Sequence, residues 1–268
     1  MSFPQTHLTL IERLAASGSQ EDWRGFFRDY WGPVCRFALR LGARDLHEAE
    51  DIAAQAFETI WRNRLLHRWV THQAAKLRAL LCAVVRRVAS NRHRSQSRRA
   101  RWEAGAAPDV EELEQPAAEA EDAFYAAWVE EVVRQAVELL AAEYCRENQT
   151  DRIRVFYGRL CEGLSIAEVS ASLNLKTTTV DYYYRDARDR LARTLEELVR
   201  PQVERYCRAE EAADEFAREW ERLGSSLSTY GGIEEAVRRS YAALPDRPDR
   251  GRMGQAIERL TSLGPPLA

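Results

Sequence analysis

The chain has 268 residues, 45% of them hydrophobic and 30% charged, and a net charge of −3, which is enough for two or three small domains, each with its own core. It holds no apolar run long enough to span a membrane, and its start, MSFPQTHLTL, lacks the basic stretch and apolar core of a secretory signal. Five scattered cysteines (Cys35, Cys82, Cys145, Cys161, Cys207) form no CxxC pair and no metal spacing with the histidines, so they read as reduced core thiols of a cytoplasmic protein without a metal.

Apolar residues recur at spacings of three and four and β-type alternation is absent, so the sequence predicts an all-α fold. The small net charge hides segregation. Residues 1–102 carry 18 basic against 9 acidic side chains, whereas residues 103–150 carry 2 against 13. A basic front part followed by an acidic connector suits a partner made of nucleic acid.

Residues 9–101 form the first predicted part. A helix from Phe26 to Leu41 offers Phe27, Tyr30, Trp31, Val34 and Phe37 to a core. The stretch HEAEDIAAQAFETIWRN, from His47, puts Ile52, Ala53, Ala56, Phe57, Ile60 and Trp61 on one helix face and Asp51, Gln55, Glu58 and Arg62 on the other. The acids Glu48, Glu50 and Asp51 suit the start of a helix. In KLRALLCAVVRRVASNRHRSQSRRAR, the stripe Leu77, Leu80, Leu81, Val84, Val85, Val88 leads into Arg86, Arg87, Arg92, Arg94, Arg98, Arg99 and Arg101 with no acidic residue among them. Such a helix suits a phosphate backbone, with salt-sensitive affinity from counterion release.

Residues 102–120, with Pro108, Pro116 and many acids, read as an extended linker. Residues 121–200 end in LSIAEVSASLNLKTTTVDYYYRDARDRL, from Leu164. A helix over about Ile166–Ser172, a tight turn at Asn174-Leu175 and a second helix opened by Thr177, Thr178 and Thr179 have the pattern of a helix-turn-helix. Ile166, Val169, Leu173, Leu175 and Val180 are its expected core, and Thr178 or Thr179 its expected helix cap. Two core helices without a DNA role would share these features. Residues 201–268 form a charged helical extension, with a helix over Gln202–Leu223, a break at Gly231-Gly232, a helix near Ile233–Leu244 and a break at PDRPDRG. This extension either packs back on the third part or acts as a built-in regulator. No nucleophile–base pair or phosphate loop appears, which argues against an enzyme and against a cofactor.

An acidic helix, a basic helix, an acidic linker and a terminal helix-turn-helix, in that order, resemble bacterial RNA polymerase sigma factors of the sigma-70 family. The resemblance is to the extracytoplasmic-function type, over roughly Leu10–Leu198. It implies a two-domain helical architecture, a sigma-2-like bundle and a sigma-4-like helix-turn-helix domain, in a promoter-specificity subunit that binds core RNA polymerase and promoter DNA. By the same resemblance, Glu48, Glu50, Asp51, Gln55 and Glu58 would dock on the polymerase. Arg86, Arg87, Asn91, Arg92, Arg94, Arg98 and Arg99 would contact the minus-10 element. Thr177, Thr178, Thr179, Asp181, Tyr182, Tyr183, Arg185 and Arg188 would meet the minus-35 element, with Arg190 as a further phosphate contact. The chain departs from the family pattern at Ala54, Arg87 and Asn174, and most at Asp181-Tyr182-Tyr183, where basic or hydroxyl residues are expected. Asn tolerates the left-handed backbone that the turn needs.

The Phe124…Trp128 pair, a long loop at Glu143–Asp151 and the C-terminal extension are similar to a divergent subset of these factors. That resemblance adds an anti-sigma factor or a Ser/Thr protein kinase to the expected partners. Two other readings remain: a free-standing helix-turn-helix regulator, and a sigma-like interaction module that no longer binds promoters.

Overall fold

The computed structural model describes residues 10–16, 18–72, 77–102, 118–160 and 162–242. All regular structure among them is α-helical. The linker core at 103–117, Cys161 and the chain from 243 onward, with PDRPDRG, lie outside the described residues, as do the side chains of Arg94, Arg98, Arg99 and Arg101. The described residues divide into two compact units, with the division between Trp128 and Val129.

The first unit contains α1 (Leu10–Ala16), α2 (Gln20–Arg40), α3 (Leu46–Arg62), α4 (Leu65–His72), α5 (Leu77–Trp102) and the first turns of α6 (Ala118–Arg146). Ser19 opens α2 with a reciprocal cap: its Oγ accepts from the Asp22 N–H at 3.1 Å, and its own N–H donates to the Asp22 carboxylate at 3.0 Å. Asp45 caps α3 by accepting from the Glu48 N–H at 2.8 Å. Most of the apolar face read from the sequence is inside: Ile52, Ala53, Ala56, Phe57 and Ile60 are buried, while Trp61 is half-buried. Phe57 stacks on Phe27 at 4.2 Å between ring centroids and meets Phe26 edge-on at 5.6 Å. Each such pair adds about 0.5–1.5 kcal/mol beyond the area it buries.

Phe124, near the start of α6, packs edge-on against Phe37 at 5.3 Å, and the Arg78 guanidinium lies over the rings of Tyr125 and Trp128 at 4.9 and 4.7 Å. The boundary suggested by composition, at residue 121, therefore differs from the boundary in space, which falls inside α6. Composition marks solvated chain, whereas Phe124 and Trp128 are apolar and find their partners in the first unit.

The second unit holds the rest of α6, then α7 (Thr150–Leu160), α8 (Ile166–Leu173), α9 (Thr177–Tyr206), α10 (Ala212–Thr229) and α11 (Ile233–Ala242). The long loop expected at Glu143–Asp151 is absent. Only Glu147, Asn148 and Gln149 separate α6 from α7, turned by Asn148 in the left-handed region (φ 55°). This removes one feature on which the resemblance to the kinase-associated subset rested.

The helix expected over Gln202–Leu223 is two helices. α9 continues through Pro201 to Tyr206, and α10 starts at Ala212. Proline normally favours a helix start or break, but here the fully buried Val199 anchors the turn before it. Gly231 and Gly232 take φ of 94° and 104°, which only glycine adopts readily, and they break the chain between α10 and α11 as the sequence suggested. Leu223, Ala236 and Val237 are buried, so the described part of the extension packs into this unit's core. Cys35 and Cys82 are buried, but Cys145 is exposed and Cys207 partly so, which corrects the expectation that all the thiols lie in the core.

Candidate nucleic-acid interface

The turn between α8 and α9 is built by local chemistry. Ser165 caps α8: its Oγ accepts from the Glu168 N–H at 3.2 Å, while its N–H donates to the Glu168 carboxylate at 2.7 Å. Asn174 ends α8 in the left-handed region (φ 53°, ψ 41°), the conformation that a tight turn needs and Asn tolerates. The Leu175 N–H donates to the Ser170 carbonyl at 3.1 Å, and the Ser170 hydroxyl donates to the Leu175 carbonyl at 2.5 Å. Val169 and Val180 are buried, while Ile166, Leu173 and Leu175 are only half-buried. The expected cap is corrected: α9 starts at Thr177 with Lys176 in the cap position, and no side chain caps it. Thr178 and Thr179 already lie within the helix.

α9 presents Thr178, Tyr182, Arg185 and Asp189 as an exposed stripe at spacings of four, three and four. Thr177 is also exposed, and Thr179 and Tyr183 are half-buried. Much of the chemistry on this helix has a partner within the unit. The Arg185 guanidinium donates to Asp181 one turn earlier. Arg188 lies 3.4 Å from the Glu234 carboxylate of α11, which also accepts from the Tyr184 hydroxyl at 2.7 Å. Arg152 of α7 lies over the rings of Tyr182 and Tyr183 at 5.5 and 4.9 Å.

Beneath the stripe, Asp186 Oδ2 collects three donors. Arg152 donates to it, the Tyr144 hydroxyl donates at 3.0 Å, and Arg190 Nε lies 3.3 Å away. Arg190 also donates to Glu143 at 2.8 Å and to Glu147 at 3.0 Å. Arg190, expected as a phosphate contact, is thus part of the scaffold joining α6 to α9. Partial burial of Asp186 works against its charge, but hydrogen bonds from Arg152 and Tyr144 hold its carboxyl below the usual range. Burial and the bond to Asp186 push the Tyr144 phenol well up.

On the first unit, the acidic face of α3 differs from the sequence expectation. Glu48 and Glu50 are each only 4% exposed. Glu48 accepts from the N–H and the guanidinium of Arg44, both at 2.9 Å, and so braces the start of its own helix. Asp51, Gln55 and Glu58 remain on the outer side. Asp51 accepts from Arg92 of α5 at 2.7 Å, which joins one residue expected to dock on protein to one expected to hold DNA. Glu58 pairs with Arg62 at 2.7 Å. Arg86, Arg87 and Asn91 are exposed on α5, and no ion pair among the described residues engages Arg86 or Arg87.

The contact of α11 with α9 is titratable. Burial works against the Glu234 charge, yet the Tyr184 hydrogen bond and nearby Arg188 lower its pKa. Burial and Glu234 raise Tyr184 to about 12. A depressed carboxylate contributes stability that is lost as pH falls through its folded value; a raised phenol contributes stability that is lost as pH rises through its folded value. The contact should therefore stabilise the unit fully from about pH 5 to about pH 10 and weaken on either side. Thermal melts across this range should show an acid limb that flattens in Glu234→Gln.

Among the described residues, no helix is long and apolar enough to cross a membrane. Comparison with known protein families, with curated proteins and with solved structures gives no match.

Proposed function

We propose that the chain is a sigma-like promoter-specificity subunit, working in the cytoplasm, that binds core RNA polymerase through α3 and promoter DNA through α5 and α9. The observation that carries this reading is the α8–Asn174–α9 turn with its exposed stripe of Thr178, Tyr182 and Arg185, the arrangement by which a second helix enters a major groove. The exposed Arg86 and Arg87 on α5 support it as phosphate contacts. Asp51, Gln55 and Glu58, along one side of α3, support it as a docking face. In this reading the chain makes and breaks no covalent bond; the polymerase does.

A second reading is an interaction module that has given up promoter binding. It is favoured by the pairing of Arg185 with Asp181 and of Arg188 with Glu234, which occupies two cations that DNA would need.

Titration of the fluorescently labelled full chain with core bacterial RNA polymerase tests the first reading. Saturable binding is expected, weakened at least about tenfold in the Gln55→Arg, Glu58→Arg double variant. A folded wild-type chain that fails to bind the core enzyme would remove the sigma reading. Binding to core without any promoter-dependent initiation would select the second.

A further inference from the structure

In the second unit, α9, α10 and the start of α11 line a half-open cavity of about 470 Å³, within the size range of small-molecule sites. Its walls are apolar: Leu195 from α9, Trp220, Leu223 and Leu227 from α10, and Ile233 at the start of α11. Trp220 stacks on Phe216 at 5.7 Å, and Phe216 carries the Arg200 guanidinium at 3.9 Å on its ring, so the indole is held by its neighbours.

Three charged residues also line the cavity: Arg185, Arg188 and Asp189. Arg185 is engaged by Asp181, and Arg188 by Glu234 at 3.4 Å. No ion pair among the described residues engages the Asp189 carboxylate. Each arginine is thus matched by its own acid, and the charge left over at an apolar cavity is one carboxylate.

From this we infer a binding site for a small apolar monoammonium compound, its hydrocarbon body against Leu195, Leu223 and Leu227 and its cation shared by Asp189 and the face of Trp220. An ammonium group satisfies both a carboxylate and an aromatic face. An anionic head group would have to displace Asp181 or Glu234 from an arginine and would face Asp189 as well. The inference does not rest on a role in transcription.

Gly224 supplies the control. It lines the cavity, and a Cβ added there meets nothing within 4 Å, so a larger side chain starts into open space at the cavity. Isothermal titration of the full chain with octylammonium, octanoate and octanol reads the site directly. Octylammonium should bind one to one, at least tenfold more tightly than either of the others. Asp189→Asn should erase that preference, and Gly224→Leu should abolish binding while thermal melts show an intact fold. The inference is overturned if octanoate or octanol binds as well as the amine, if none of the three binds, or if Gly224→Leu binds unchanged.

Discussion

Replacing Asp186 with asparagine should cost the second unit about 3 kcal/mol, because it leaves two guanidinium groups and a phenol converging on a neutral amide. In the native protein one carboxylate oxygen receives Arg152, Tyr144 and Arg190, and these come from three different helices. Removing one partner of a buried ion pair typically costs about 3–5 kcal/mol. The lower end applies here, since the side chains of Arg152, Asp186 and Arg190 keep 16–21% exposure and water screens part of the repulsion. For a unit of this size, that loss corresponds to a fall in Tm of roughly 10–20 °C. Urea titration followed by circular dichroism measures it. A loss below about 1 kcal/mol would mean that the cluster is a surface decoration. Arg152→Met in the Asp186→Asn background should recover part of the loss, because it removes the cation left without a carboxylate, whereas Arg190 keeps Glu143 and Glu147.

Changing Arg86 and Arg87 together to glutamine should reduce the salt dependence of binding to duplex DNA more than any other pair of substitutions among the described residues. Each phosphate neutralised by a cation contributes about 0.9 to the slope of log K against log salt, so the double variant should lose about 1.8 from that slope. Both side chains are exposed on α5, and neither gives up an ion pair among the described residues when it turns to a phosphate. Arg92 is a different case, because it must first leave Asp51. Filter binding or fluorescence anisotropy at several salt concentrations reads the slope, with Arg24→Gln on α2 as the control. An unchanged slope in the double variant would place the DNA elsewhere.

The local parts of this structure were legible in the sequence. The Asn174 turn and the apolar face of α3 follow from residues within a few positions of each other, and helical periodicity acts at that range. What was not legible depends on distance along the chain. Arg152 meets Asp186 across 34 residues, Tyr144 meets Asp186 across 42, and Tyr184 meets Glu234 across 50. No spacing rule marks such pairs, so Arg190 read as a phosphate contact, and nothing in the sequence pointed to the bond of Tyr184 to Glu234. Burial misled in the same way. Glu48 and Glu50 were expected, by resemblance, to dock on a partner, yet both are buried, and Arg44 folds over Glu48 from the loop before the helix. Pro201 looked like a boundary because proline usually is one, and the packing of Val199 outweighed it.

The Arg188–Glu234–Tyr184 contact sets two binding events against each other. An outside anion that takes Arg188 must part it from Glu234, and so works against the docking of α11. Thermodynamic reciprocity then makes the effect equal in both directions: the factor by which docked α11 weakens the anion is the factor by which the anion weakens α11. α11 therefore behaves as a tethered competitor, present at a constant effective concentration however dilute the protein becomes. Its influence on α9 is set by the sequence between Tyr206 and Ile233 and not by how much protein the cell makes.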